Sequence, residues 1–360
     1  MSNENETSKS VVKKEKTHIY RNPNPNPSII ETEKFILRTV RGQDEQVRQV
    51  VNAVYKSSFL NKKTNVLIIG KSGTGKTEIL RQLSKKLGKV SITIDANDYT
   101  SEGFVGQNVS DIIYDLIEAA NFDLKKAENG VVIIDEIDKK AQNKESVTVK
   151  ADLGKGVQNA LLKLIEDKEI PLATMSENGE MQIYKLKTDK IMFFFAGAFS
   201  GIEEIEKKRM RKTTQMGFSA NSKTEAQIRE EKKVKKKDLI EYGMTEEFIG
   251  RIDTIVELNE LSVEVLVDIL EHSRKSELKL YTSGLKARGV STKYSKKTVV
   301  AIAQKAKQES NETGARELAN VINYVFDKAI YQIMASPEGT YQELVLQEGI
   351  EEDNTKYILK

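Results

Sequence analysis

The chain has 360 residues, 38% hydrophobic and 31% charged, with a net charge of +3 and no cysteine. That length allows roughly two or three domains with buried cores, the lack of cysteine excludes disulfides and thiolate metal sites, and so weak a positive balance gives no ground for a nucleic-acid partner. No apolar run approaches the roughly 18 residues of a membrane span and MSNENETSKS lacks a signal-like apolar core, so the expected setting is a reducing cytoplasm, away from membranes.

The chain opens with Asn-, Ser-, Lys- and Glu-rich residues that run into NPNPNPS. Such a segment buries too little apolar surface to offset its conformational entropy, so residues 1–30 are expected to be a disordered leader. A helical pattern begins at Thr32 and includes VRGQDEQVRQVVNAVY, Val40 to Tyr55. The apolar run Val66–Ile69 reads as a buried strand, followed by GKSGTGKT, Gly70 to Thr77, and then by a helix with Ile79, Leu80, Leu83 and Leu87 on one face.

GKSGTGKT fits the phosphate-loop pattern G-x-x-x-x-G-K-[ST] in the strand–loop–helix context that the motif requires. Glycines let successive backbone N–H groups and a helix N-terminus close on a polyanion. Gly70, Lys71, Ser72, Gly73, Thr74, Gly75, Lys76, Thr77 and Glu78 are therefore expected to hold ATP, Lys76 as a point charge on its phosphates and Thr77 as a ligand of Mg²⁺.

Further apolar runs lie at Ile92–Ile94, Val131–Ile134, Ile191–Phe195 and Ile255–Leu258, with amphipathic segments such as Ile112/Ile113/Leu116/Ile117 and Val157/Leu161/Leu164 between them. Strands alternating with helices predict a parallel sheet covered on both faces. In VVIIDEID the strand ends in Asp135 and Glu136, which brings two carboxylates to the sheet edge where the phosphate loop lies. Asp135 is expected to serve Mg²⁺ and Glu136 to act as general base on the attacking water. His18 and His272 are too few and too far apart for a metal site.

Residues 201–240 hold Lys/Glu blocks around the small apolar island Met216-Gly217-Phe218. After Asn259 the pattern is helical through Ile333, and Tyr341–Leu346 with Tyr357–Leu359 suggest a terminal hairpin. The expected organisation is a large α/β ATPase domain over 31–258 and a small, mainly helical domain over 259–360.

A phosphate loop followed by strand-Asp-Glu resembles the AAA+ ATPases. The segments DANDYTSEGFVGQNVSDIIYDLIEAA, GKGVQNALLKLIED, EEFIGRI and TGARELANVI are similar to those of the ClpX family of hexameric protein unfoldases, a resemblance that runs from about Thr32 to the C-terminus. The short stretch between Gly106 and Asp135 leaves no room for the inserted domain of the related ATPase HslU. The resemblance implies an AAA+ fold and a homohexamer that hydrolyses ATP to unfold tagged or unfolded proteins and feed them to a ClpP-type peptidase.

Residue by residue, it implies that Phe104 and Val105 grip substrate in the pore, with Lys144, Lys150 and Lys155 near a second pore loop. Arg251 matches the finger that reaches a neighbour's nucleotide, Arg316 the sensor on the small domain, and Val40 with Arg41 the adenine contact. Met216, Gly217 and Phe218 match the aliphatic-Gly-aromatic tip that docks on the peptidase. There are departures. The family's cysteine zinc module is expected to be missing, Phe104 replaces a usual Tyr, and ATMSENGEMQIY places Glu177 and Glu180 where the family has a basic loop. The competing expectations are a remodelling chaperone without a protease and, at a greater distance, an AAA+ protein acting on nucleic acid.

Overall fold

Successive side chains of a strand point to opposite faces, so a strand buried on both sides reads as a nearly continuous apolar run. Strand β1 (Asn65–Ile69) is buried throughout, and its residues divide accordingly. Leu67 and Ile69 join one core, Val66 and Ile68 the other. A computed structural model describes residues 27–100, 107–109, 111–142, 149–166, 169–175, 181–215, 232–309, 314–347 and 356–360.

Strands β2 (Ser91–Asp95), β5 (Val131–Asp135), β8 (Met192–Gly197), β1 and β9 (Thr254–Glu257) form one sheet in that order, every pair parallel. The short strands β3 (Tyr99–Thr100) and β4 (Gln107–Asn108) pair beside it. One face is covered by α1 (Ile29–Leu37), α2 (Asp44–Leu60) and α3 (Lys76–Leu87), through Ile36, Val50, Val54, Ile79 and Leu83. The other carries α4 (Asp111–Ala119), α5 (Leu124–Glu128), α6 (Val149–Ile165), α7 (Ile202–Gln215), α8 (Lys236–Tyr242) and α9 (Glu246–Gly250), through residues such as Ile113, Leu161, Ile202, Leu239 and Phe248. Phe195 and Phe248 meet edge-on at 4.9 Å between ring centroids, which ties α9 to the sheet.

A separate core begins at Leu261. It gathers Leu266 and Leu270 of α10 (Val263–His272), Leu278 and Leu285 of α11 (Glu277–Ala287), Ile302 of α12 (Lys296–Glu309) and Val321, Val325 and Phe326 of α13 (Arg316–Ala335).

Several expectations change in detail. Helix α1 starts at Ile29 because Ser28 and Glu31 form a reciprocal cap, each backbone N–H donating to the other's side chain at 3.2 Å. The fourth core strand runs Met192–Gly197, slightly later than its apolar run. Strands β6 (Glu169–Met175) and β7 (Met181–Lys187) pair antiparallel on either side of the stretch that stands where the family has a basic loop. The stretch 259–333, expected to be helical, also holds β10 (Ser291–Lys293), which pairs with β11 (Glu343–Leu346), which in turn pairs antiparallel with β12 (Tyr357–Leu359). The β11–β12 pairing matches the expected hairpin, whereas β10 is short, with exposed Ser291 and Lys293, and carries no apolar alternation to announce it.

Candidate nucleotide site

The loop between β1 and α3 lies at the C-terminal edge of the sheet, where Gly70 N–H donates to Gly197 O at 3.2 Å. Gly75 takes φ +104° immediately before α3, a conformation that a side chain disfavours. It leaves the N-terminus of α3 open toward the loop, and Val40, 5% exposed, packs over Gly75. The Lys76 ammonium donates to Gly70 O and, at 3.0 Å, to Lys71 O. Burial pulls Lys76 below the ordinary lysine range, and the carboxylates of Asp135 and Asp138 oppose that shift.

Thr77 Oγ1 donates to Asp135 Oδ2 at 2.6 Å, so helix and strand place a hydroxyl and a carboxylate in direct contact. Glu136 follows in the left-handed region at φ +57°, and its Oε2 accepts from Asn97 Nδ2 at 2.7 Å. The third acid of VVIIDEID is different. Asp138 is 5% exposed, and its two oxygens accept from Ala198 N–H at 3.2 Å and Phe199 N–H at 3.3 Å. Those bonds hold the loop after β8 beside the phosphate loop, a structural task for which the third carboxylate suffices.

The segments that carry the core beginning at Leu261 close the site. Gly314 packs on the phosphate loop so closely that a Cβ would lie 2.8 Å from Ser72 O, and at φ +54° it suits glycine twice over. Ala315 N–H donates to Gly73 O at 3.1 Å, and the Arg316 guanidinium to Ser72 Oγ at 3.1 Å. Across the same seam Arg41 makes a two-point ion pair with Asp268, while Lys275 meets Glu78 at 2.8 Å. Gln43, fully buried, donates to Asn259 O at 2.8 Å and accepts from Asn259 N–H at 3.0 Å.

The result is a cavity of about 980 Å³ lined by Val40, Arg41, residues 71–78, Asp135, Glu136 and Arg316. Backbone donors, an ammonium, a guanidinium and two carboxylates in one cleft can bind a polyanion and polarise a water beside it.

The family described as AAA domain (Cdc48 subfamily) matches residues 61–255. The chain is 33% identical over 323 residues to the ATP-dependent Clp protease ATP-binding subunit ClpX of Treponema denticola, spanning 85% of this chain and 77% of that protein. It is 35% identical over 282 residues to the ATP-dependent Clp protease ATP-binding subunit ClpX 2 of Wolinella succinogenes, spanning 78% of this chain and 68% of that protein. This chain belongs to the ClpX-type AAA+ ATPases. It is therefore an ATPase that uses a nucleotide, with the α/β fold of that family.

In this ClpX-type ATPase the remaining expected residues are spread widely. Arg251 follows α9 at the opposite sheet edge: its carbonyl accepts from Asn65 Nδ2 at 3.0 Å, at the start of β1. The Arg251 side chain is 55% exposed and reaches Glu166 at 3.2 Å. Lys155 is exposed on α6. Phe104, Val105, Lys144, Glu177, Glu180 and Met216, Gly217 and Phe218 lie outside the described residues, as does the side chain of Lys150.

Sequence reading missed Gln43, Asn97 and Asp138 as contributors. Asp138 carried a signal, being the third acid of a motif, but Gln43 and Asn97 are single polar residues whose partners are distant in sequence. Among the described residues no helix is long and apolar enough to cross a membrane.

Proposed function

We propose that this ClpX-type ATPase acts in the cytoplasm as a homohexameric ring that hydrolyses ATP to unfold protein substrates and pass them to a ClpP-type peptidase. The observation that carries the ring is the division of the machinery. Glu136, Lys76 and Arg316 line one cavity, while Arg251 stands at the far end of β1. Five strand residues rise about 13 Å, too far for Arg251 to serve its own site, and its exposure suits use by a neighbour. A closed ring gives every site a finger.

Within the site, Lys76 and the N-terminus of α3 hold the phosphates, and Val40 with Arg41 border the adenine. Arg316 links nucleotide to the small domain, and Glu136 polarises the attacking water. Thr77 and Asp135 supply the hard oxygen donors that would hold Mg²⁺. Among the described residues no group of three or more acidic or His side chains could hold a metal ion. Mg²⁺ supplies charge neutralisation on the phosphates when bound.

Phe104 and Val105 are proposed to grip substrate, because an aromatic and a branched aliphatic side chain pack on any polypeptide. Phe104→Ala is expected to keep ATP turnover within a few-fold of wild type and to lose unfolding of a stable protein. Unfolding at the wild-type rate would remove Phe104 from the pore.

The peptidase partnership is supported by the relatives' names, which make them subunits of a Clp protease, and by Met216-Gly217-Phe218 in a hydrophilic stretch. Burial of one such side chain stabilises by about 1.5–3 kcal/mol, and a ring multiplies a weak contact. Phe218→Asp is therefore expected to abolish degradation of an unstable reporter by the ATPase plus a ClpP-type peptidase while sparing ATP turnover. If the wild-type ring never binds such a peptidase in ATP, the reading fails in favour of a remodelling chaperone that works without a protease.

A further inference from the structure

Gln158 sits mid-way along α6, completely buried and far from solvent chemistry. Its Nε2 donates to Lys140 O at 2.7 Å, at the end of the turn Ile137–Lys140 that follows Glu136. Its Oε1 accepts from both Thr245 N–H at 2.8 Å and Thr245 Oγ1 at 3.1 Å. The orientation is set by chemistry, since only the amide NH₂ can meet a carbonyl and only the amide oxygen can meet a backbone N–H. A buried side chain that satisfies three polar groups on two separate segments is costly to replace.

Those segments matter. Thr245 caps α9, its Oγ1 accepting from Phe248 N–H at 3.4 Å, and Arg251 directly follows α9, its N–H donating to Phe248 O at 3.0 Å. The same α6 is continued by Glu166, which pairs with the Arg251 guanidinium. Alongside, Gln142 N–H donates to Gly243 O at 2.8 Å, a parallel tie between the acidic turn and the start of the finger segment.

The acidic turn has other anchors, through Asn97 to Glu136 and through the Ala198 and Phe199 N–H groups to Asp138. At the first turn of α9 both the backbone N–H and the hydroxyl of Thr245 turn to Gln158, whereas further along Phe248 rests on Phe195 and Arg251 O accepts from Asn65. Loss of Gln158 should thus tilt α9 about those later contacts and shift it more than it shifts Glu136.

We propose that Gln158 is a positioning residue for Arg251: it sets the finger helix against the subunit's own acidic turn, so that the guanidinium offered to the neighbouring subunit is held in register. This rests on the reading of Arg251 as a finger acting in trans. The alternative is a polar core residue that only stabilises the fold.

Mixed rings separate these. Arg251→Ala subunits keep Glu136 and lack the finger, whereas Glu136→Gln subunits keep the finger and lack the base. Full-length subunits of the two kinds, mixed with ATP and Mg²⁺, should recover turnover, and failure of this control would sink the finger reading and the positioning role together. Gln158→Met is then added to one partner at a time. In the finger-donating Glu136→Gln subunit it should cut the recovered turnover about 10- to 100-fold, the scale of a small misplacement of a reacting group. In the Arg251→Ala subunit it should change recovery by less than about twofold, given the other anchors of the acidic turn.

Equal losses on both sides, or no loss, with a working control would overturn the positioning role and leave the finger intact. The affinity of each double variant for a fluorescent ATP analogue should match that of its parent, placing the effect in kcat. Should Gln158→Met fail to assemble, Gln158→Asn, whose amide is one methylene too short to span both partners, goes through the same two placements with the same expected asymmetry.

Discussion

Replacing Glu136 with Gln is expected to leave nucleotide binding and assembly intact and to lower ATP turnover by about 10²- to 10⁴-fold, the range supplied by a positioned general base. The substitution changes one atom. The Gln amide oxygen can still accept from Asn97 Nδ2, which meets Glu136 Oε2 at 2.7 Å, so the side chain keeps its partner. What disappears is the capacity to take a proton from water. Binding of a fluorescent ATP analogue and release of inorganic phosphate, measured on the same preparation, check this. Loss of binding in parallel with turnover would make Glu136 a structural carboxylate and withdraw its assignment as the base.

Arg251→Ala is expected to lower turnover further, by about 10³- to 10⁵-fold, the contribution of an arginine that meets the developing charge on a transferred phosphoryl group. Stability should hardly change. The pair with Glu166 is solvent-accessible, with side chains 55% and 29% exposed, and such pairs are worth at most about 1 kcal/mol. Nucleotide affinity should also stay close to wild type, because Arg251 does not line its own cavity. A thermal melt, a binding titration and a turnover assay together distinguish a lost finger from a damaged fold. Unchanged turnover would remove Arg251 from the chemistry and with it the chief argument for a ring.

Much of the fold is legible in the primary structure because parallel strands buried on both faces read as nearly continuous apolar runs. Val131–Ile134 and Val66–Ile69 declare themselves in this way, and the phosphate loop declares itself by glycines and a Lys-Thr pair at fixed spacing. The elements that escaped lack such signals. β10 is a short strand with exposed Ser291 and Lys293, and β6 contains Pro171, which reads as a turn. The start of α1 moved because a cap, and not apolar periodicity, decides where a helix begins.

The amino-acid sequence by itself determined the family, the central parallel sheet and the residue types of the nucleotide site, since each depends on local pattern. Only the tertiary structure decided which of these residues meet. Gly314 against Ser72, Gln43 against Asn259, Asn97 against Glu136 and Gln158 between Lys140 and Thr245 are contacts between segments distant in the chain. A hydrogen bond exists only within a few tenths of an ångström of its proper length, and that closeness comes from how helices and sheet pack. A lone polar residue has no periodicity to betray its partner. For the same reason the separation of Arg251 from the cavity, at the opposite end of β1, became visible only once the sheet was assembled.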